Sequence, residues 1–453
     1  MADDLGSAIA KLRSDLGGRV IVPGDDTYEK ARQVFSGAID RHPAAVVRVT
    51  SEDEVARVVT HARDTGVELA VRSGGHSAYA VNDGGVVLDL SGLRQLDIDA
   101  DARVARVQTG LTAGDYTTAA GRHGLATGFG DTGSVGIGGI TLGGGVGFLA
   151  RKYGLTIDDL LAAEVVTADG ELIRVDADNH PDLFWAIRGG GGNFGVVTRF
   201  TFRLHEVPEV TGGMLVLPAT PDTVTGFLEA AAAAPDELST IANVMSAPPM
   251  PFLPESVHGK VILMALVCHA GPAAAGERVM APFRALAEPY ADHVTAMPYP
   301  EIYGPEEPGY RPKAIGSNLF RDSVDKATVE TILAHLADSD APMRVAQLRV
   351  LGGAVARVPV DATAFAHRDR AIMVNLASFY TGDEDLPRRQ EWLRTFSTAM
   401  RDGAPAGYVN FIGEDDGGVG TAYPAPTLAR LAQVKRRYDP DNVFRFNVNV
   451  RPA

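Results

Sequence analysis

The stretch VRSGGHSAY, residues 71–79, places a histidine directly behind two glycines at the end of an apolar run, GVELAVR. Paired glycines at such a point let a backbone come close to a phosphate, with successive N–H groups as donors. A histidine is not something a phosphate turn requires, so His76 asks for its own chemistry. A second stretch, TGSVGIGGITLGGGVG (132–147), is richer still in glycine. Each glycine loses more freedom on folding than any other residue. A chain tolerates that cost in a tightly buried loop, or where its backbone must lie against something flat or charged, such as a planar cofactor ring carrying a pyrophosphate.

A third run, GGGNFG (190–195), contains a literal G-x-G-x-x-G at Gly190, Gly192 and Gly195. The dinucleotide fingerprint needs strand, glycines, then helix. Here a helical segment, PDLFWAIRG, precedes and a β-branched segment, VVTRFTF, follows, so the order is reversed. Ser134 lacks the G-x-S-x-G frame of a nucleophile elbow, and no H-E-x-x-H or EF-hand spacing occurs. Eleven histidines are scattered without a metal-ligand pattern, and the lone Cys268 excludes an internal disulfide.

The 453 residues are too many for one compact core and predict two domains. A net charge of −15 disfavours nucleic acid as a partner. The acidic start MADDLGS lacks the apolar segment of a signal peptide. The uncharged run Thr132–Ala150 contains eight glycines, a poor composition for a membrane helix. The expectation is a soluble, cytoplasmic protein with a small-molecule substrate and no nucleic-acid or membrane partner. Oligomeric state is not legible.

The elements that must position these residues can be read from periodicity. AAVVRV (44–49) reads as a strand, SEDEVARVVTHARDTG as a helix capped by Thr50 or Ser51, and GVELAVR as the next strand, a β-α-β unit leading into the histidine loop. GGVVLDL (84–90) and RVARVQTG (103–110) read as strands, 112–123 as a helix, and LLAAEVVTADGELIRV as a hairpin turning at Asp169-Gly170. After about Pro208 the texture changes to long alternating strands, as in MLVLPA, KVILMALVCHA, MRVAQLRVLGGAV and AIMVNLASFY, with helices near 221–234, 274–288, 325–338 and 386–402. That pattern fits a second domain with an antiparallel sheet covered by helices. The tail reads as a basic amphipathic helix stopped at Asp439-Pro440.

Taken together, RSGGHS (72–77), GSVGIGGITLGGGVGFLARKYGLTIDDL (133–160), DLFWAIRGGGGNFGVVT (182–198), GGAVARV (352–358) and YDPDNVFRFN (438–447) resemble the vanillyl-alcohol oxidase/PCMH superfamily of FAD-linked oxidases, berberine-bridge-enzyme-like branch. The pieces occur in the family's order along nearly the whole chain. The resemblance implies an α+β fold with a PCMH-type FAD-binding domain in 1–205, a substrate domain in 206–404, and a segment, 405–453, that returns to the first. It implies FAD bound covalently, the RSGGHS histidine (His76) being joined to the flavin 8α carbon. That carbon becomes electrophilic in one flavin tautomer, and a neutral imidazole can attack it where serine is too weak and lysine is mostly protonated. Cofactor contacts are expected from Arg72, Ser73, Gly74, Gly75, Ser77, Thr132, Gly133, Gly136, Gly138, Gly139, Gly143, Val197 and Asn447. Many members add a cysteinyl link in the glycine run. Thr132 stands at that position here, so the chain resembles the monocovalent members and a single tether with a lower flavin potential is expected.

The family passes a hydride from a substrate alcohol or amine carbon to flavin N5, and O2 then accepts the electrons to give H2O2. Strands roofing the ring supply polar groups at period two. Gln347, Arg349 and Leu351 share one face, and Asn375 shares a face with Met373, Ala377 and Phe379. Both sets also suit the solvent side of an edge strand. No glutamate stands on these strands, a departure from relatives that use one as base. Tyr79, Tyr408 and Asn410 are the remaining catalytic candidates, a tyrosine serving as base if Arg349 lowers its pKa. Tyr299, Tyr303 and Tyr310 are candidates for the pocket mouth. Two other readings stay open: a dehydrogenase that reacts poorly with O2, and a flavin carrier without turnover.

Overall fold

The computed structural model describes residues 2–307, 309–413 and 417–453. Its first sheet orders four strands as Val20–Ile21, Ala45–Arg48, Val86–Asp89 and Leu69–Arg72. Val86–Asp89 runs parallel to both neighbours, so the expected β-α-β unit exists with a third strand inserted between its two. The connecting helix, Glu52–Thr65, begins where Ser51 accepts a hydrogen bond from the Glu54 amide and ends at Gly66, whose φ of 70° only glycine takes easily. Val55, Val58, Val59 and Ala62 are buried against the sheet, the face that the sequence spacing selects. Beyond the carboxyl end of Leu69–Arg72 lies the histidine loop, the place where open parallel sheets bind ligands.

The second sheet is antiparallel, in the order Leu96–Asp99, Val104–Gln108, Val196–Arg203, Leu160–Val166, Leu172–Asp176. Helices Ala113–Gly121 and Pro181–Ile187 share a core with it, joined by the C-terminal helix Ala425–Tyr438. The basic face of that last helix is not wholly solvated. Lys435 is fully buried and donates to Asp439 and to the carbonyls of Asn193 and Phe444. It thereby ties the tail to the third glycine run.

The largest sheet is antiparallel throughout its main path: Ala291–Asp292, Glu209–Pro218, Val261–His269, Leu238–Ser246, Arg344–Val350, Ile372–Phe379 and Ala314–Arg321. Helices Pro221–Ala233, Lys326–Asp338 and Leu386–Met400 contribute to one core with Ala346, Leu348, Val374 and Leu376. Two of these strands carry no legible signal. Leu238–Ser246 is buried at every position and so has no alternation. Ala314–Arg321 begins AIGSN, a poor strand composition. Strands Arg344–Val350 and Ile372–Phe379 are interior to the sheet, which removes the alternative of an edge strand. No described helix is long and apolar enough to cross a membrane.

Candidate active site

The histidine loop is braced from several sides. The Arg72 guanidinium donates to Asp89 Oδ2 at 3.0 Å within the parallel sheet. Burial alone would push the Asp89 carboxyl up, but Arg72 and the Ser91 hydrogen bonds together hold it below the usual carboxylate range. Ser73 Oγ donates to the Thr109 carbonyl at 2.8 Å and accepts from the Gly138 amide at 3.3 Å. Ser77 Oγ accepts from the Tyr79 amide at 3.1 Å. The side chains of Arg72, Ser73 and Ser77, expected as cofactor contacts, are therefore engaged in shaping the loop. His76 projects from it with Nε2 at 3.0 Å from Ser134 Oγ and its ring stacked on Phe35, centroids 4.3 Å apart. Burial pushes the imidazole below its ordinary value, against the opposing pull of Glu306, the Ser134 hydrogen bond and Asp131. Burial thus favours the neutral form of the ring.

The glycine run folds as a turn and a short helix, Ile137–Gly143. A Cβ on Gly136 would meet the Gly74 amide and Ser73 Oγ, one on Gly138 would meet Thr109 Oγ1, and one on Gly143 would meet the Asn410 amide, all inside any real Cβ contact. Much of the glycine cost is thus explained by close packing against the Gly74 backbone and the side chains of Ser73, Thr109 and Asn410. Gly139 is different. It is exposed, and a Cβ there has nothing within 4 Å. We expect Gly136→Ala to cost about 3 kcal/mol, the upper end for overpacking, by forcing the loops apart, with a clearly lower melting temperature. Gly139→Ala is expected to leave stability within about 1 kcal/mol yet weaken flavin retention. Equal effects of the two substitutions on melting would refute this division.

Several groups here fit an FAD. Among the described residues the amides of Gly74, Gly75 and His76 donate to no protein carbonyl. Asn447 spends Nδ2 on the Gly192 and Phe444 carbonyls while its buried Oδ1 has no partner. Val197 is buried beside a β-bulge between Val197 and Arg199, where the ladder with Leu160–Val166 shifts register. Thr132 Oγ1 is turned to Asp131 Oδ1 at 3.4 Å.

The roof is the other face of the large sheet. Asn243, Gln347, Asn375 and Asn318 are directly opposed across four adjacent strands, so their side chains share one face. Arg349 reaches from that face to Asp131 Oδ2 at 2.7 Å and places NH2 2.8 Å from Gln347 Oε1. Gln347 Nε2 then donates to Asn243 Oδ1 at 2.9 Å, and Asn243 Nδ2 to the Met264 carbonyl at 3.1 Å. Asn318 accepts from the Tyr408 amide. Asn375 alone in the row makes no side-chain hydrogen bond among the described residues, and it is half-buried.

The tyrosines divide. Tyr79 packs edge-on against Phe446 at 5.8 Å. Tyr408 is 3% exposed, and its Oη accepts from the Gly145 amide and the Asn410 side chain, both at 2.9 Å. Burial pushes its phenol up, and the lowering by those hydrogen bonds and by Arg349 does not offset it. The condition for a tyrosine base, a pKa brought down by Arg349, is not met at Tyr408, and Tyr408 and Asn410 buttress the glycine run. Tyr299, expected at a pocket mouth, is a core residue beside Cys268, while Tyr310 is exposed. Burial pushes the Cys268 thiol up to about 12, so it is inert. Sequence reasoning missed Asp131, Ser134, Glu306 and Phe35. Only the family resemblance, by drawing attention to Thr132, came near the first two.

A polar sheet face closed over a glycine-lined FAD site is the architecture of a flavin-dependent oxidoreductase. A family model described as an FAD binding domain matches residues 43–176, and one described as berberine and berberine like matches residues 407–451. (R)-6-hydroxynicotine oxidase of Paenarthrobacter nicotinovorans is 32% identical, over 96% of this chain and 97% of its own. Xylooligosaccharide oxidase of Thermothelomyces thermophilus is 26% identical, over 92% and 89%. The crystal structure of 6-hydroxy-D-nicotine oxidase from Arthrobacter nicotinovorans matches with a TM-score of 0.85 and 29% identity, over 97% of this chain and 98% of that one. The chain belongs to the berberine-bridge-enzyme-like FAD-linked oxidoreductases, and it is an enzyme.

Proposed function

We propose that this enzyme is an oxidase acting on a small or medium alcohol or amine, with neutral alcohols favoured. The observation that carries the reading is the roof: an amide row and one arginine, already paired with Asp131, face the glycine run. Among the described residues, a permanently cationic substrate finds no unpaired carboxylate on that face, whereas a hydroxyl finds the Asn375 amide. Residues 1–205 and 405–453 hold the cofactor, and 206–404 roof it. The amides of Gly74, Gly75 and His76 receive the pyrophosphate, with Thr132, Gly133, Gly136, Gly138, Gly139, Gly143, Val197 and Asn447 forming the surrounding walls. His76 is the single covalent anchor, through Nδ1, because Ser134 engages Nε2.

Bound FAD supplies a two-electron acceptor that takes hydride at N5 and passes the electrons to O2, giving H2O2. The protein's part is to hold the reacting C–H in place and exclude water. Gln347 is fixed with its oxygen toward Arg349 and its nitrogen toward Asn243, so the row presents one amide orientation to a ligand. Tyr408 is committed to Gly145 and Asn410 and buttresses the glycine run instead of taking the substrate's proton.

The test is an anaerobic panel of neutral alcohols, sugars and cationic amines, followed by admission of air. Neutral alcohols should bleach the flavin, and air should restore the colour within seconds with H2O2 formed. A panel bleached only by cationic amines would refute the substrate class. Recovery over many minutes would make the enzyme a dehydrogenase, and no bleaching by any compound would leave a flavin carrier.

A further inference from the structure

Residues 303–307 and 309–313, which precede the strand Ala314–Arg321 of the large sheet, lie against the histidine loop. Arg311 Nε donates to the Val34 carbonyl at 2.9 Å, and the Gly37 amide donates to the Pro312 carbonyl at 2.9 Å. Those contacts fix the stretch that bears Phe35, the ring stacked on His76, and the Phe35 amide donates to the Gly75 carbonyl at 2.9 Å. In the same segment Glu306, an exposed residue, accepts the Ser134 amide on Oε1 at 2.7 Å, and Ser134 Oγ in turn meets His76 Nε2 at 3.0 Å. A carboxylate from the substrate-side half thus reaches the reacting imidazole of the other half through one serine.

We propose that Glu306 is a positioning residue for cofactor attachment: through Ser134 it fixes His76 with Nε2 as the hydrogen-bonded nitrogen and Nδ1 as the nucleophile, and its charge stabilises the imidazolium that forms. The inference rests on the reading of His76 as the anchor. In the step, the 8α methyl of FAD gives up a proton to solvent, and a bond forms between His76 Nδ1 and that carbon. The electron pair passes into the ring system, leaving reduced flavin. The ring keeps its Nε2 proton during attack, held toward Ser134 Oγ, and loses it afterwards. Molecular oxygen takes the two electrons and two protons as H2O2, restoring oxidised, tethered flavin. Burial disfavours a charged His76, and the nearby Glu306 carboxylate is the first of the groups that oppose it. Attachment is thereby coupled to docking of the two halves, since that segment supplies both Glu306 and the grip on Phe35.

The full chain, made under flavin limitation and then given FAD in air, is followed by acid precipitation, with yellow colour in the pellet measuring attachment over time. Wild type should tether its FAD. Glu306→Gln should attach at least tenfold more slowly while still binding FAD without a bond, Glu306→Asp should recover part of the rate, and Ser134→Ala should also be slow. A Glu306→Gln rate equal to wild type overturns the proposal, as does a Glu306→Gln protein that binds no FAD at all, which would make the residue a binding group. Wild type that never retains colour overturns instead the assignment of His76 as anchor.

Discussion

His76→Ala is expected to yield a folded enzyme from which every molecule of FAD is released by acid, leaving a colourless pellet. The expectation rests on how little else depends on this side chain. Among the described residues it makes one side-chain hydrogen bond, to Ser134, and one ring contact, to Phe35. Losing both costs roughly 1–2 kcal/mol, too little to unfold a chain whose loop is held by Arg72–Asp89 and Ser73–Thr109. Neither Thr132 nor Cys268 can take over the bond. Thr132 offers only a hydroxyl turned to Asp131, and Cys268 is a core thiol whose pKa burial raises to about 12. The free amides of Gly74 and Gly75 remain, so non-covalent FAD should be retained at purification in part. Turnover should fall at least tenfold, equivalent to about 1.4 kcal/mol of barrier. Colour persisting in the acid pellet of this variant would place the tether elsewhere.

What the sequence made legible follows from where periodicity survives. The helix Glu52–Thr65 and the strand Arg344–Val350 show their faces in their own residues, and both faces turn out as spaced. The alternation through Gln347 and Arg349 marked the roof, but only the sheet order removes the alternative of a solvent-facing edge. A strand buried on both sides, such as Leu238–Ser246, has no pattern to read, and its Asn243 went unnoticed although it anchors Gln347. The site's missing members are those joined only by tertiary contact. Asp131 meets Arg349 across 218 residues of chain, and Glu306 meets Ser134 across 172. Neither carboxylate stands in a periodic element, so no local rule could single them out. The glycines taught a further lesson. Their number suggested a flat partner, yet Gly136 and Gly74 chiefly require each other. Two glycine-rich stretches in one chain are as good a sign of mutual nesting as of a ligand.

Arg349→Met should be the most damaging single change on the roof. The guanidinium holds Asp131 on the glycine run and Gln347 on the sheet at once, a fork geometry that one ammonium cannot copy, so Arg349→Lys should rescue little. With Arg349 removed, Asp131 keeps a partly buried charge without its cation, and Gln347 Oε1 loses both donors and the amide's fixed orientation. Truncating one partner of such a pair costs roughly 2–5 kcal/mol, discounted toward the lower end because Asp131 is 21% exposed. We expect a lower melting temperature and a flavin reduction rate down by about a hundredfold, or ~2.7 kcal/mol. Asp131→Asn removes the charge but keeps an acceptor, and should cost about tenfold. The double variant Asp131→Asn/Arg349→Met should be less impaired than the two effects multiplied, since the second change no longer strands a charge, giving a coupling energy of about 1–3 kcal/mol. Strict multiplicativity in that cycle, in both melting and flavin reduction, would mean that Asp131 and Arg349 act separately and that the ion pair does not close the roof over the cofactor.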